Sequence, residues 1–255
     1  MVPKQTFNYK LIRMLDFTFK YMLIAVSKSV YEMAIFVTAG IKGGSGRSTI
    51  AENLTVWLAK HGADVLLVDA DEQGTASDFT AWREHNLDGR VGYTLVQLIG
   101  ANLRKQVETM RPKYDHIVID TGGRDTTSQR AALIVADVAM IPIQPRSHDV
   151  WTLSKLTDML GEIQASRVEA LTVYSFLNRA DITSADNREA ADALASIPDL
   201  GFVPHAVKNR KAYPNAGSKG LAVFEAEIPD KKAILEIETL FNTVTHGYIN
   251  ISTEA

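Results

Sequence analysis

The chain has 255 residues, 46% of them hydrophobic, enough to bury the core of one α/β domain. Its formal charge of −3 argues against coating nucleic acid through bulk positive charge, so any DNA contact must be local. With no cysteine it has neither a disulfide framework nor a thiolate metal site, which is compatible with a reducing cytoplasm, and its scattered histidines offer no pair at helical ligand spacing.

Residues 1–32 differ from the rest of the chain, with Lys4, Lys10, Arg13, Lys20 and Lys28 facing only Asp16 and Glu32. The longest apolar run there, Tyr21 to Val26, is far below the ~18 residues of a membrane span. Asp16 and Lys20 interrupt any signal-peptide pattern. Leu11, Met14, Phe17, Tyr21 and Ile24 fall near helical spacing, the pattern of a basic amphipathic helix on a membrane or partner. The preferred expectation is a dispensable leader, since Met33 would itself serve as a start.

Residues 33–255 read as a single domain without repeat, low-complexity tract or linker. Short, nearly continuous apolar runs at Ile35 to Thr38, Val65 to Val68, His116 to Ile119, Val138 to Ile143 and Leu171 to Phe176 predict strands covered on both faces. Helical patterns alternate with them. Ile50, Leu54, Trp57 and Leu58 form one apolar stripe that stops at Gly62, and further helices are expected around residues 97–110, 150–164, 185–195 and 230–245. The expected fold is a doubly wound, mostly parallel sheet with helices on both faces.

Between the first strand and the first helix lies Gly40-Ile41-Lys42-Gly43-Gly44-Ser45-Gly46-Arg47-Ser48-Thr49, in the strand-to-helix context that a P-loop requires. Glycines let backbone N–H groups close around phosphates, the helix start adds partial positive charge, and the Ser48 hydroxyl is placed for Mg²⁺. Two acidic motifs come next at strand ends, the edge where open α/β sheets bind ligands. In LLVDADEQG, residues 66–74, Asp69 and Asp71 point different ways, Asp69 toward a metal's water shell and Asp71 toward a γ-phosphate and attacking water. In YDHIVIDTGGRD, residues 114–125, Asp120 suits a Walker B acid holding Mg²⁺, and the Gly123 N–H suits a terminal phosphate. Each motif also has a plain structural reading, as a glycine turn or as acids that merely end a strand.

Together these residues resemble the ParA/MinD family of deviant-Walker P-loop ATPases over about residues 34–245. KGGSGRST resembles the family's K-G-G-x-G-K-[ST]-[ST] at Lys42, Gly43, Gly44, Gly46, Ser48 and Thr49, and VLLVDADEQG its V-L-L-I-D-x-D-P-Q-G. YDHIVIDTGG and VAMIPIQP resemble its next two strands, and FLNR, residues 176–179, the strand end where Asn178 would meet adenine. The resemblance implies ATP and Mg²⁺ as cofactors, with Ser45 also among the phosphate-loop contacts, and an ATP-dependent homodimer in which Lys42 reaches the partner's phosphates. That is an electrostatic role like an arginine finger's, worth ~10³ to 10⁵ in rate.

The chain departs from the family at Arg47, where lysine is usual, at Gly122-Gly123, where Pro-Pro is usual, and at Glu72, where proline is usual. Arginine keeps the charge but replaces a compact ammonium by a planar fork, so the expectation is ATP binding with slow hydrolysis, with Lys42, Asp71 and Arg47 as the catalytic set. Lys208, Arg210, Lys211 and Lys219 gather in the region by which ParA relatives bind DNA non-specifically, although such clusters are often just solvated. The C-terminus lacks the basic amphipathic helix of MinD relatives. The resemblance thus favours a cytoplasmic, nucleoid-associated plasmid or chromosome partition ATPase stimulated by a ParB-like centromere-binding partner. The alternatives are an ATP-bound scaffold for a cargo or conjugation complex, and a membrane-positioning switch.

Overall fold

The computed structural model describes residues 32–123, 126–145, 150–182 and 185–249. The basic leader expected at residues 1–32 lies outside the described residues but for Glu32. Seven strands form one parallel sheet: β1 (Ala34–Thr38), β2 (Val65–Ala70), β3 (Thr94–Gln97), β4 (His116–Thr121), β5 (Val138–Ile143), β6 (Thr172–Ala180) and β7 (Phe202–Lys208), in the spatial order β3-β2-β4-β1-β5-β6-β7. The helices are α1 (Arg47–Lys60), α2 (Thr75–Asn86), α3 (Asn102–Met110), α4 (Thr127–Val135), α5 (Val150–Ala165), α6 (Ala185–Ala195), α7 (Ala212–Gly217) and α8 (Lys231–Val244). This is the expected doubly wound architecture of a P-loop NTPase. No helix among the described residues is long and apolar enough to cross a membrane.

Strand side chains alternate between two cores, as the period of two requires. Ile35, Val37, Leu66, Val68, Ile117 and Ile119 point to one face, where Leu103 and Val107 of α3, Leu156 and Ile163 of α5 and Leu194 of α6 cover them. Phe36, Leu67, Val118 and Met140 point to the other, under Leu54 and Trp57 of α1 and Ile237, Leu240 and Phe241 of α8. Burial on both faces is why β1, β2, β4 and β5 read as continuous apolar runs.

The two strands that escaped the sequence reading, β3 and β7, are the sheet's edges. Half of β3 is exposed, and β7 carries Pro204, tolerated on an edge because one side of the strand makes no ladder. The helix expected over 97–110 starts only at Asn102, because residues 94–97 belong to β3. The strand expected at 171–176 runs on to Ala180 and so carries Asn178 to the carboxyl edge. Helices α2 and α4 also lack a clear sequence signal. The first starts beyond Gly74 and the second is capped by Thr126, whose hydroxyl accepts the Gln129 N–H at 3.1 Å.

Candidate phosphate-loop site

The parallel register brings the chemistry to one edge. Thr38 of β1, Asp120 of β4 and Asp69 of β2 are side-by-side partners across three neighbouring strands, so all three side chains emerge on one face beneath the glycine loop. The loop leaves β1 and turns into α1 through Gly46, whose φ of 89° is left-handed. A side chain there would also collide with Asn178, since a Cβ would run into Asn178 Nδ2.

Four buried side chains fix the loop's shape. The Gly40 N–H donates to Gln129 Oε1 at 3.1 Å, and the same oxygen accepts from the Thr121 hydroxyl at 3.1 Å, bolting the loop's start to the end of β4. Asn178 Nδ2 donates to the Ser45 carbonyl at 2.6 Å, and the more exposed Arg179 adds a bond from Nη1 to the Gly44 carbonyl at 2.8 Å. Arg47 is itself buried: its Nε donates to the Thr121 carbonyl at 3.1 Å, and its Nη1 to the Lys42 carbonyl at 2.7 Å and the Ser45 hydroxyl at 3.0 Å. Burial pushes its pKa down while Asp120 and Asp71 push it back, and an arginine stays charged under such opposing effects. Lys42, Gly43 and Gly44 form the exposed rim.

The acids are not equivalent. Asp120 is fully buried; its Oδ1 accepts from the Thr38 hydroxyl at 3.1 Å, and its Oδ2 has no hydrogen-bond partner. Burial raises its pKa to about 7, with Asp69 adding repulsion and the hydroxyls of Ser48 and Thr38 and the Arg47 charge opposing. Asp69, expected near a metal's water shell, is already engaged: Oδ1 accepts the Asp71 N–H at 3.2 Å, and Oδ2 the Ser77 N–H at 2.9 Å and hydroxyl at 2.6 Å. It caps the first turn of α2 as well as facing Asp120. Asp71 accepts the Gln73 N–H at 3.1 Å and lies against Gly122.

Glu52 and Gln129 were not foreseen. Glu52 is buried four residues after Ser48 on α1, and burial with the charges of Asp120 and Asp69 raises its pKa well above the carboxylate range. The sequence did not mark it, because next to Asn53 and Thr55 it reads as part of a solvated face. Gln129 gave no signal, because its partners come from the loop after β1 and from β4.

Beside the loop, a cavity of about 180 Å³ is lined by Gly46, Thr49, Asn178, Lys208 and Tyr213. The cationic cluster beyond it is thinner than the sequence suggested. Arg210 grips Glu236 through Nε at 2.9 Å and Nη2 at 2.6 Å and lies 3.9 Å from Asp230, so its charge is spent inside the fold. The Lys208 N–H also donates to Glu236. Lys211 and Lys219 are exposed.

Residues 36–236 match the model of the CobQ/CobB/MinD/ParA nucleotide binding domain. The maintenance of carboxysome distribution protein A of Halothiobacillus neapolitanus is 25% identical over 219 residues, covering 86% of this chain and 98% of that one. The chromosome-partitioning ATPase Soj of Thermus thermophilus is 28% identical over 176 residues, covering 59% of this chain and 69% of its own. Among solved structures, an ATP complex of Cyanothece McdA superposes with a TM-score of 0.73 at 19% identity, covering 88% of this chain and 100% of that one.

Proposed function

The chain belongs to the CobQ/CobB/MinD/ParA nucleotide-binding family, and we propose that within it this protein is a ParA-type positioning ATPase: a Mg·ATP-dependent homodimer that binds DNA without sequence preference and is stimulated by a cargo-side partner protein. The observation that carries this reading is the strand-end arrangement, with Lys42 on the exposed rim of a glycine loop and Asp71, Asp120 and Gly123 at the carboxyl ends of β2 and β4.

The residues fit both parts of the cofactor. The unpartnered Asp120 Oδ2 and the Ser48 hydroxyl are hard oxygen donors of the kind Mg²⁺ takes, and Asp69 supports them from its place beside Asp120. Bound there, Mg²⁺ would neutralise charge on the phosphates. The loop N–H groups of Gly43 to Thr49, with Gly123, would hold the phosphates, and the cavity at Asn178 would take the base. Lys42 would extend its ammonium to the partner's nucleotide, and Asp71 would orient the attacking water.

Hydrolysis is expected to be slow. Three of the five Arg47 N–H groups are committed to protein acceptors, so the guanidinium follows a moving phosphoryl group less freely than a lysine would. The same restraint favours a second reading, an ATP-held scaffold with negligible turnover. A turnover assay with DNA and the protein encoded beside it separates the two.

DNA binding, supported by exposed Lys211 and Lys219, is tested by filter binding across salt concentrations with ATP and with ADP. The proposal expects salt-sensitive retention with ATP alone. Equal retention with ADP would count against it. The cargo it would position is a replicon or a protein compartment, since the relatives include a partition ATPase and a carboxysome distribution protein.

A further inference from the structure

The chain's departures at Arg47 and at Gly122-Gly123 are far apart in sequence and in contact in the fold. A Cβ on Gly123 would stand 2.7 Å from Arg47 Nη2, 2.9 Å from Gly43 Cα and 3.2 Å from Gly43 N. A Cβ on Gly122 would stand 3.1 Å from Asp71 Oδ1. The glycine at 123 does not answer a left-handed backbone, because Gly123 is not among the residues of positive φ. It answers space.

The far end of an arginine can ordinarily swing away from an added methyl group. Here it is pinned by its bonds to Thr121, Lys42 and Ser45, so moving it breaks charge-assisted hydrogen bonds inside a buried site. A lysine at 47 has a single compact ammonium and no Nη2 to meet residue 123. The family's usual proline at 123 would place a Cβ in this contact.

We propose that Gly123 is a positioning residue paired with Arg47: bare backbone at 123 admits the guanidinium, and the guanidinium ties the phosphate loop to the end of β4. The arginine is then one half of a two-position device that holds the loop against the strand end, with Gly122 granting Asp71 the same close approach. The inference deepens the nucleotide-site reading and rests on it for function, while the contact itself can be tested without nucleotide.

The test is a cycle of four full-length proteins: the natural chain, R47K, G123A and R47K/G123A. Each is melted without nucleotide and titrated with a fluorescent ATP analogue and Mg²⁺. Pairing predicts that G123A lowers the melting temperature by about 5 °C in the arginine background and weakens analogue binding roughly tenfold, and that both penalties shrink clearly, without vanishing, in the R47K background, where the Gly43 backbone contact remains. Equal penalties in both backgrounds would overturn the proposal, because the Gly43 contact alone would then explain the glycine. Absence of any penalty would also overturn it. If G123A does not fold, recovery of a folded protein by R47K supports the pairing and failure to recover refutes it. Failure of the natural chain to bind the analogue would count against the nucleotide reading, while the melting cycle would still decide the pairing.

Discussion

Replacing Asp120 by Asn should change how stability depends on pH in Mg²⁺-free buffer. Burial raises this carboxyl from 3.8 to about 7 in the folded chain. The sign follows from linkage: a raised folded-state pKa means that the native state holds its proton longer than the unfolded one, so stability is fully present below the unfolded pKa and is lost as pH rises through the folded value. Three pKa units at about 1.4 kcal/mol each give a loss of about 4 kcal/mol between pH 4 and 8. Asn cannot ionise and should escape it. Glu52, raised chiefly by burial, remains in both proteins and slopes in the same direction, less steeply in the Asn variant because the Asp120 charge no longer adds to its shift. Urea unfolding of both proteins at pH 4, 6 and 8 should therefore show the Asn variant gaining on the natural chain by about 4 kcal/mol across the range. Mg²⁺ with nucleotide should flatten the natural chain's slope. Parallel stability curves for the two proteins would refute the assignment of Asp120 as an acid whose proton is held by burial.

Arg83 of α2 joins Glu225 through two contacts of 2.7 and 2.9 Å, with its side chain 7% exposed, and donates to the Val91 and Gly220 carbonyls. Arg83→Ala should cost about 3–5 kcal/mol in chemical denaturation, because Glu225 is left without its partner. Lys211→Ala and Lys219→Ala should each lower the salt slope of DNA binding by about 1, whereas Arg210→Ala, which breaks the Glu236 pair, should lower the melting temperature and leave the slope unchanged. Salt titrations of the three variants separate these outcomes. Asn178→Ala should weaken ATP-analogue binding about tenfold in a fluorescence titration, since it unties the Ser45 carbonyl and empties one wall of the cavity.

What the chain disclosed as a sequence tracks local physics. The central strands announced themselves because both faces are buried, while β3 and β7, with one side open to solvent, did not. The motif residues could be placed because the strand-loop-helix context fixes where the loop and its facing acids must lie, and the fold bears out that context. Their side-chain commitments could not be read. Asp69 bonds to Ser77 eight residues on, and Arg210 to Glu236 twenty-six residues on. The touch between Arg47 and Gly123 depends on β4 pairing with β1, which no local pattern encodes. Buried Glu52 and Gln129 show the same limit, because a polar residue in a helix reveals its role only when the strands behind it are known.

The proposed cycle depends on two copies of the chain joining around nucleotide, each supplying Lys42 to the other. Light-scattering mass in Mg·ATP, Mg·ADP and no nucleotide, repeated with Lys42→Ala, measures this directly. The mass should double with ATP alone and stay single in the variant. A chain that remains single in saturating Mg·ATP, or a variant that pairs as well as the natural protein, would contradict it.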